Sequence, residues 1–205
     1  MGHQAMAIAA VRHLGVPRGA GAEPSPGPVV AASAPPPSPD AGGPGADELR
    51  SVLGHFATGV TVIAARTRDG EPVGFACQSF GSLSLDPPLV SFSVARTSSS
   101  WPRIARSGAF CANILAADQQ ELCRSFAVSS STGADKFAGV EWEPTQATGS
   151  PRLAGALAWV DCTIQAVHVG GDHLIVLGRV RDLLARQDAD ASGPLVFYRG
   201  RFELG

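Results

Sequence analysis

A stretch of small and hydroxyl-bearing residues in the first half of the chain could hold a flat aromatic ligand. The segment Pro72-Val73-Gly74-Phe75-Ala76 has small side chains that would let a ring lie against an extended backbone. Four of the next side chains can donate or accept hydrogen bonds: Gln78, Ser79, Ser82 and Ser84. The alternative is an ordinary strand with solvated serine hydroxyls, and composition alone favours that alternative.

A second segment, Arg96-Thr97-Ser98-Ser99-Ser100, combines a cation with several hydroxyls just after a strand-like run. We predict that Ser100 caps a short helix with Pro102 in its first turn, ending near residue 107. A guanidinium, hydroxyls and the N–H groups of a helix start together suit an anionic phosphate. An ordinary helix cap beside an exposed arginine explains the pattern equally well.

Two further places could bind a dinucleotide. His173 follows Gly170-Gly171-Asp172 at the start of a predicted strand and could line a nicotinamide pocket, although spacing alone favours a surface histidine paired with Asp172. Near the C-terminus, the segment Tyr198-Arg199-Gly200-Arg201 offers an aromatic face and two guanidinium groups that could meet a dinucleotide's phosphates or a partner subunit. The alternative there is an ordinary charged rim.

Other kinds of chemistry lack a matching pattern. The chain has neither a Gly-x-Ser-x-Gly elbow nor a His-Glu-x-x-His pair, and Cys77 has no basic neighbour in sequence. The four cysteines show no zinc-like or thioredoxin-like spacing, so we expect reduced thiols, a cytoplasmic location and no metal site. Hydride transfer fits such a chain because it passes directly between two cofactors and requires no catalytic side chain.

Composition divides the 205 residues into two parts. Residues 1–45 are dominated by Ala, Pro and Gly and are predicted to be disordered, whereas residues 46–205 should form one domain. The net charge of -2 argues against a nucleic-acid partner. No apolar run approaches the roughly 20 residues of a membrane helix, so no membrane association is expected.

The elements that position the candidate residues are predicted to be mainly strands. Asp47 is expected to cap a helix to about residue 57, and a second helix is expected at 118–126. The predicted strands are 59–65, 73–85, 89–94, 110–115, 156–169, 173–184, 195–198 and 201–204, with an irregular segment at 142–152. This order lacks a strand–helix repeat and a Gly-x-Gly-x-x-Gly fingerprint, and it predicts an antiparallel, mainly β barrel with short inserted helices.

Several segments, in order and at the expected separations, together resemble the short-chain flavin reductase family. They are 55–62, 74–84 followed by Asp86-Pro87-Pro88-Leu89-Val90, Ser98-Ser99-Ser100-Trp101-Pro102, Asp135-Lys136-Phe137-Ala138-Gly139, Gly171-Asp172-His173 and 194–200. The similarity covers residues 47–204. It looks closest to the reductase components of two-component flavin monooxygenases that hydroxylate phenols, including those of steroid degradation.

The resemblance implies a Greek-key-like, FMN-binding split β-barrel that forms a homodimer, with flavin at the subunit interface. It also implies reduction of FMN or FAD by NADH or NADPH, with the reduced flavin passing to a separate monooxygenase. Residues 72–76, Gln78 and Ser79 match the family segment along the flavin ring and ribityl chain, and residues from Ser93 to Ser100 match the segment reaching the phosphate. The remaining matches are Asn113, Lys136 and Phe137 near the flavin, His173 at the nicotinamide, and Tyr198 with Arg199 closing that side.

The chain departs from the family pattern at a few positions. Many relatives have Asn in place of Gln78, Thr or Ala in place of Gly81, and Lys in place of Arg96, which leaves the choice between FMN and FAD open. Two other functions remain open at this stage. One is a flavin-binding electron carrier without efficient NADH turnover, and the other is a flavin-dependent oxidase or oxygenase that acts directly on an organic substrate.

Overall fold

The computed structural model describes residues 29–30, 43–128, 135–187 and 192–203. Most of the predicted disordered tail, residues 1–45, lies outside the described residues, so both the tail and the domain boundary at residue 46 stay predictions. Residues Val29–Val30 form a short strand, β1, that pairs in parallel with Ala166 and Val167.

Strands outnumber helices in the part of the chain that the structure describes. The helices are α1 (Ala46–Leu53), α2 (Trp101–Ser107) and α3 (Gln120–Ala127). The strands after β1 are β2 (Thr58–Gly59), β3 (Thr61–Arg66), β4 (Pro72–Cys77), β5 (Gly81–Leu85), β6 (Pro88–Ala95), β7 (Ala109–Ile114), β8 (Trp142–Pro144), β9 (Pro151–Leu153), β10 (Ala158–Gly170), β11 (His173–Ala185), β12 (Val196–Tyr198) and β13 (Arg201–Glu203).

The main sheet has the strand order β4-β3-β7-β10-β11-β6-β5, and every neighbouring pair in it is antiparallel. The long β10–β11 hairpin links its two halves. Gly171, with φ of 71°, turns this hairpin in the left-handed region that glycine tolerates best. The strands β12, β13 and β2 form a separate small sheet, and β8 pairs with β9.

The main sheet curls around an aromatic core. Phe92 on β6 and Phe110 on β7 are separated by two strands in the sheet order, yet their ring centroids are 5.1 Å apart. Phe75 on β4 lies 6.0 Å from Phe92, although these strands belong to opposite halves of the sheet. The curled sheet therefore has the shape of a barrel whose interior is filled with side chains.

The two faces of β3 enter two different cores. Ile63 packs in the barrel core with Phe92 and Phe110, whereas Val62 packs in a second core with Phe126 and neighbours from outside the barrel. This follows from the alternation of side chains along a strand, and it explains why the burial of β3 does not alternate. The second core packs α3 against the outside of the barrel.

The predicted mainly β, antiparallel fold with short inserted helices is confirmed. Some local predictions were wrong. Asp47 does not cap α1, because Gly45 occupies that position and Asp47 lies in the first turn paired with Arg50. The predicted strand 73–85 is two strands, and the segment 142–152, predicted to be irregular, forms the β8–β9 hairpin. Within the described ranges, no helix is long and apolar enough to cross a bilayer.

Candidate functional site

A cleft of about 570 Å³ lies where the two halves of the main sheet meet. It is bordered by β4, the end of β6 with the turn after it, the end of α3 and the start of β11. The predicted binding residues that line it are Phe75, Ala76, Gln78, Ser79, Ser93, Thr97, Ser98, Ser99, Ser100, Lys136 and His173. Segments far apart in sequence thus share one surface because the sheet curls.

The β4 wall of the cleft is packed tightly against α3. A Cβ atom at Gly74 would lie 2.9 Å from the Ile63 carbonyl oxygen and 3.0 Å from the ring of Phe126, so no side chain fits there. The buried hydroxyl of Ser100 donates to the Gly74 carbonyl at 3.1 Å. Gly74 is not among the residues that line the cleft. Its lack of a side chain instead allows the β4 and α3 walls of the cleft to lie close together.

The loop after β6 exposes hydroxyls at the cleft. The Ser98 N–H donates to the Ala95 carbonyl (2.9 Å), and the Ser98 hydroxyl accepts the Trp101 N–H (3.3 Å), which shapes the start of α2. Ser100 occupies the cap position but makes no side-chain cap hydrogen bond, so the predicted capping role belongs to Ser98 instead. Thr97 and Ser99 are exposed at the cleft surface.

Lys136 brings a positive charge to the cleft. Its Nζ donates to the Phe126 carbonyl at 3.0 Å, which holds the ammonium near the end of α3. Burial lowers the pKa of this ammonium from its ordinary value. Among the described residues that line the cleft there is no aspartate or glutamate. The local charge therefore favours an anionic ligand.

His173 reaches the cleft from the start of β11 and is oriented by its neighbour. Its Nδ1 lies 2.8 Å from Asp172 Oδ1. Hydrogen bonding to His173 lowers the pKa of the Asp172 carboxyl, which is then ionised and can only accept. A neutral His173 must therefore carry its proton on Nδ1, which leaves Nε2 as an acceptor. The Arg96 N–H donates to the Asp172 carbonyl (3.0 Å) and ties this turn to the end of β6.

Three predicted site residues do not line the cleft because their side chains are buried in the protein core. Val73 lies in the barrel core, and Phe137 packs in the second core with its ring centroid 4.9 Å from that of Phe126. Asn113 is fully buried, and its amide donates to the Val62 and Pro151 carbonyls and accepts the Leu153 N–H at 2.8 Å. The side chains of all three are therefore engaged within the protein and not at the cleft.

The other predicted residues outside the cleft lie on its periphery or on another surface. Arg96 is exposed, and Pro72, Ser82 and Ser84 lie on strands β4 and β5 without lining the cleft. Tyr198 and Arg199 lie beside α1: the Tyr198 ring is 6.3 Å from that of His55, and the Arg199 N–H donates to the Gly54 carbonyl. Within one subunit these two residues do not contribute to the cleft.

Some lining residues were not anticipated as part of the site. They are Cys77, Phe126, Ala127 and Val128, whereas Val94 and Ala95, which also line the cleft, belong to the segment 93–100 that was expected to reach the phosphate. Phe126 is the last residue of the helix predicted at 118–126, and nothing in its spacing indicates that it borders a ligand cleft. Burial raises the pKa of the Cys77 thiol, so this side chain contributes apolar wall and not a thiolate nucleophile.

The same environment is shared by the other thiols. All four cysteines are free and buried, and burial raises the pKa of Cys123 to about 11 and that of Cys162 to about 12. Within the described ranges no group of His, Cys, Asp and Glu side chains could hold a metal ion.

The cleft fits a flat, anionic cofactor. Phe75, Ala76 and Val94 form an apolar wall, Gln78 and the serine-rich loop supply hydrogen-bonding groups, and Lys136 supplies positive charge. A volume of about 570 Å³ is within the range of small-molecule cofactor sites. These residues could hold the ring and the phosphate of a flavin, and His173 lines the same cleft.

Comparisons with known proteins agree with this geometry. The family model described as flavin reductase like domain matches residues 53–204. Over 154 residues the chain is 51% identical to "Flavin-dependent monooxygenase, reductase subunit HsaB" of Rhodococcus jostii (strain RHA1), an alignment that covers 75% of each protein.

Solved structures of similar proteins share the fold. The crystal structure of a nitrilotriacetate monooxygenase component B homolog from Mycobacterium thermoresistibile is 48% identical with a TM-score of 0.68, covering 76% of this chain and 83% of the other. The NADH:FAD oxidoreductase SgcE6 of Streptomyces globisporus, in complex with NAD and FAD fragments, is 36% identical with a TM-score of 0.69, covering 77% and 90%.

Proposed function

Because the chain belongs to the flavin reductase-like domain family, we propose that the cleft between β4, β6, α3 and β11 is its flavin site. The protein is a flavin reductase, an oxidoreductase that reduces FMN or FAD with a nicotinamide nucleotide and supplies reduced flavin to a separate monooxygenase. One observation carries the location of the site: the segments 75–79 and 93–100 meet at one cleft that holds a lysine and no described carboxylate.

The proposed roles follow the walls of the cleft. Phe75, Ala76 and Gln78 hold the flavin ring and ribityl chain, and the loop from Thr97 to Ser100 receives the phosphate. Lys136 adds charge attraction for the phosphate, and His173, oriented by Asp172, faces the nicotinamide. When both cofactors are bound, the nicotinamide supplies a hydride and the flavin accepts it. The protein therefore contributes orientation and exclusion of water rather than an acid or a base.

Steady-state turnover tests the activity and the cofactor choice together. Purified protein is mixed with NADH or NADPH and with FMN or FAD, and loss of the reduced nicotinamide absorbance is followed for the four pairings. We expect flavin-dependent oxidation in at least one pairing, with the apparent KM values ranking the flavins. A protein that binds flavin yet shows no oxidation in any pairing would instead be an electron carrier, and product formation from an organic substrate without a partner would indicate an oxygenase.

Lys136→Met tests the location of the site. Methionine keeps the unbranched stem of the side chain as far as Cε but removes the charged ammonium, and a hydrogen bond to a charged group is worth about 1.5–3 kcal/mol. We expect the flavin dissociation constant to rise about tenfold or more, measured by fluorescence quenching. The matched control is Arg68→Met, which removes an exposed cation from the β3–β4 turn and should leave the constant unchanged. Equal effects of the two variants would place the flavin elsewhere.

We also infer that the protein works as a homodimer. The apolar residues of α1 and the turn after it form one stripe but are 50–75% exposed: Leu49, Val52, Leu53 and Phe56. α1 has eight residues and buries none of them, and so short a helix is marginal without packing. A second copy would cover this stripe, and Tyr198 and Arg199, which adjoin α1, would then lie at the interface.

Light scattering after size exclusion tests the dimer. Val52→Asp places a charge in the stripe and should shift the mass towards the monomer, whereas Ser51→Asp, on the opposite side of the same helix, should leave the dimer intact. A wild-type monomer, or a Val52→Asp dimer, would contradict the assignment.

A further inference from the structure

The hydroxyl of Ser79 is engaged within the protein. It accepts the Ser93 N–H at 2.8 Å and donates to the Ser93 carbonyl at 3.1 Å, and Cys77 Sγ lies 3.4 Å away. A hydroxyl has one hydrogen and two acceptor positions, so these three contacts use its full capacity when the Cys77 thiol donates. Ser79 therefore has no hydrogen-bonding group left for a ligand, although it lines the cleft.

The position of Ser79 in the sheet explains these contacts. In the β5–β6 ladder, Gly81 pairs with Ser91 and Ser82 with Val90. The same register, continued two residues before the start of β5, places Ser79 opposite Ser93. There the Ser79 side chain takes both backbone groups of Ser93, as a paired strand would. This is also the point where the chain passes from β4 to β5, the strands at the two ends of the sheet order.

Gln78 depends on this link. It is exposed at the cleft, and within the part of the chain that the structure describes no hydrogen bond holds its side chain. Its backbone lies between Cys77, at the end of β4, and Ser79, which is tied to β6. The described contacts that restrain the direction of Gln78 are therefore the end of β4, the Ser79 link, the contacts of Cys77 with the backbone of Ser79 and Phe80, and the packing of Phe80 against the barrel core.

We propose that Ser79 is a positioning residue of the flavin site, and that its hydroxyl fixes the 78–80 connection to β6 so that Gln78 presents its amide to the flavin. The proposal rests on the proposed function, because it assigns Gln78 as the residue that contacts the ligand. By restraining the backbone beside Gln78, Ser79 reduces the entropy cost of ordering Gln78 when the ligand binds. Its contribution is made before the ligand arrives.

The first test needs no flavin. In Ser79→Ala the Ser93 amide loses its acceptor, so its hydrogen exchange in the flavin-free protein should become roughly two- to tenfold faster. Ser79→Thr keeps the hydroxyl and should restore slow exchange. The control Ser51→Ala, on the exposed face of α1, should change nothing. Unchanged exchange at Ser93 in Ser79→Ala would overturn the proposal, and this result would be readable even if the protein had no reductase activity.

The second test separates positioning from direct contact. Ser79→Ala should raise the KM for flavin several-fold with little change in kcat at saturating flavin, and Ser79→Thr should recover the KM. In a Gln78→Ala background the Ser79→Ala effect should disappear, because the residue that Ser79 positions is gone. Additive effects of the two substitutions would show that Ser79 acts independently of Gln78 and would overturn the proposal. Absence of flavin-dependent NADH oxidation in the wild type would instead count against the proposed function.

Discussion

Gly74→Ala is the sharpest test of how the cleft is built. The added Cβ would lie 2.9 Å from the backbone oxygen of Ile63, closer than real Cβ contacts allow, and 3.0 Å from the Phe126 ring. The Ile63 oxygen cannot move freely, because β3 pairs along its length with β4 and β7. The clash must therefore move β4 and α3 apart, and both of them border the cleft.

The expected size of the effect combines two opposing terms. Overpacking a tight site costs about 1–3 kcal/mol. Replacing glycine with alanine also restricts the unfolded chain, which offsets about 0.4–1 kcal/mol. We expect a net loss of about 1–2 kcal/mol, which lowers the melting temperature by roughly 3–6 °C for a domain of this size. Flavin affinity should fall as well, because the displaced walls carry Phe75 and Phe126.

Thermal unfolding followed by circular dichroism measures the first effect and flavin titration the second. Gly81→Ala is the matched control, since a Cβ at Gly81 meets nothing within 4 Å and its backbone is not in the left-handed region. This control should melt at the wild-type temperature or slightly higher. The packing described for β4 would be refuted if Gly74→Ala had the melting temperature of the wild type, or if Gly81→Ala lowered the melting temperature as much as Gly74→Ala.

Two further predictions concern the second core and the buried carboxylate. Asn113→Ala should lower the free energy of unfolding, measured in urea, by about 2 kcal/mol or more, because the buried Leu153 N–H loses its acceptor. The flavin affinity of the folded protein should stay unchanged. A loss of affinity at unchanged stability would show that Asn113 contacts the ligand. The fully buried Asp161 carboxyl accepts hydrogen bonds from the Thr148 N–H and hydroxyl. Burial raises the pKa of this carboxyl above its unfolded-state pKa of about 3.9. Its contribution to stability is therefore largest below the unfolded-state pKa and is lost as pH rises through the raised folded-state pKa. Asp161→Asn removes this titration, so its urea midpoint should improve relative to wild type as pH rises above the unfolded-state value, and parallel profiles for the two proteins would contradict this.

Much of the fold could be predicted because its turns are specified by local sequence. Gly70 and Gly171 have φ of 88° and 71° at the ends of hairpins, and Gly108, with φ of 76°, ends α2 close to the predicted residue. Other boundaries were missed because they depend on tertiary contacts. The β8–β9 hairpin, for example, packs through Leu153 into the second core, and no alternation in its short strands reveals this.

For the candidate site, the segments could be predicted from the sequence, but the direction of individual side chains could not. The segments around Phe75, Ser98 and His173 were expected to form a site, and the structure brings them to one cleft. Sequence does not show which face of a strand each side chain takes when both faces are covered. β7 is buried at four consecutive positions, 110–113, so its pattern gives no sign that Asn113 faces the second core and not a ligand.

The segments that carry the family resemblance therefore contain residues of two kinds. Within 74–80, Phe75 and Gln78 face the cleft, whereas Gly74 is required by the approach of Ile63 and Phe126, and the Ser79 hydroxyl holds β6. Both kinds must be present for the cleft to have its shape, so a motif match locates a site without separating contact from support. That separation requires the hydrogen-bond partners of each side chain. For Ser79 these partners are the backbone groups of Ser93, which is why we propose a supporting role for Ser79 and ligand contact for its neighbour Gln78.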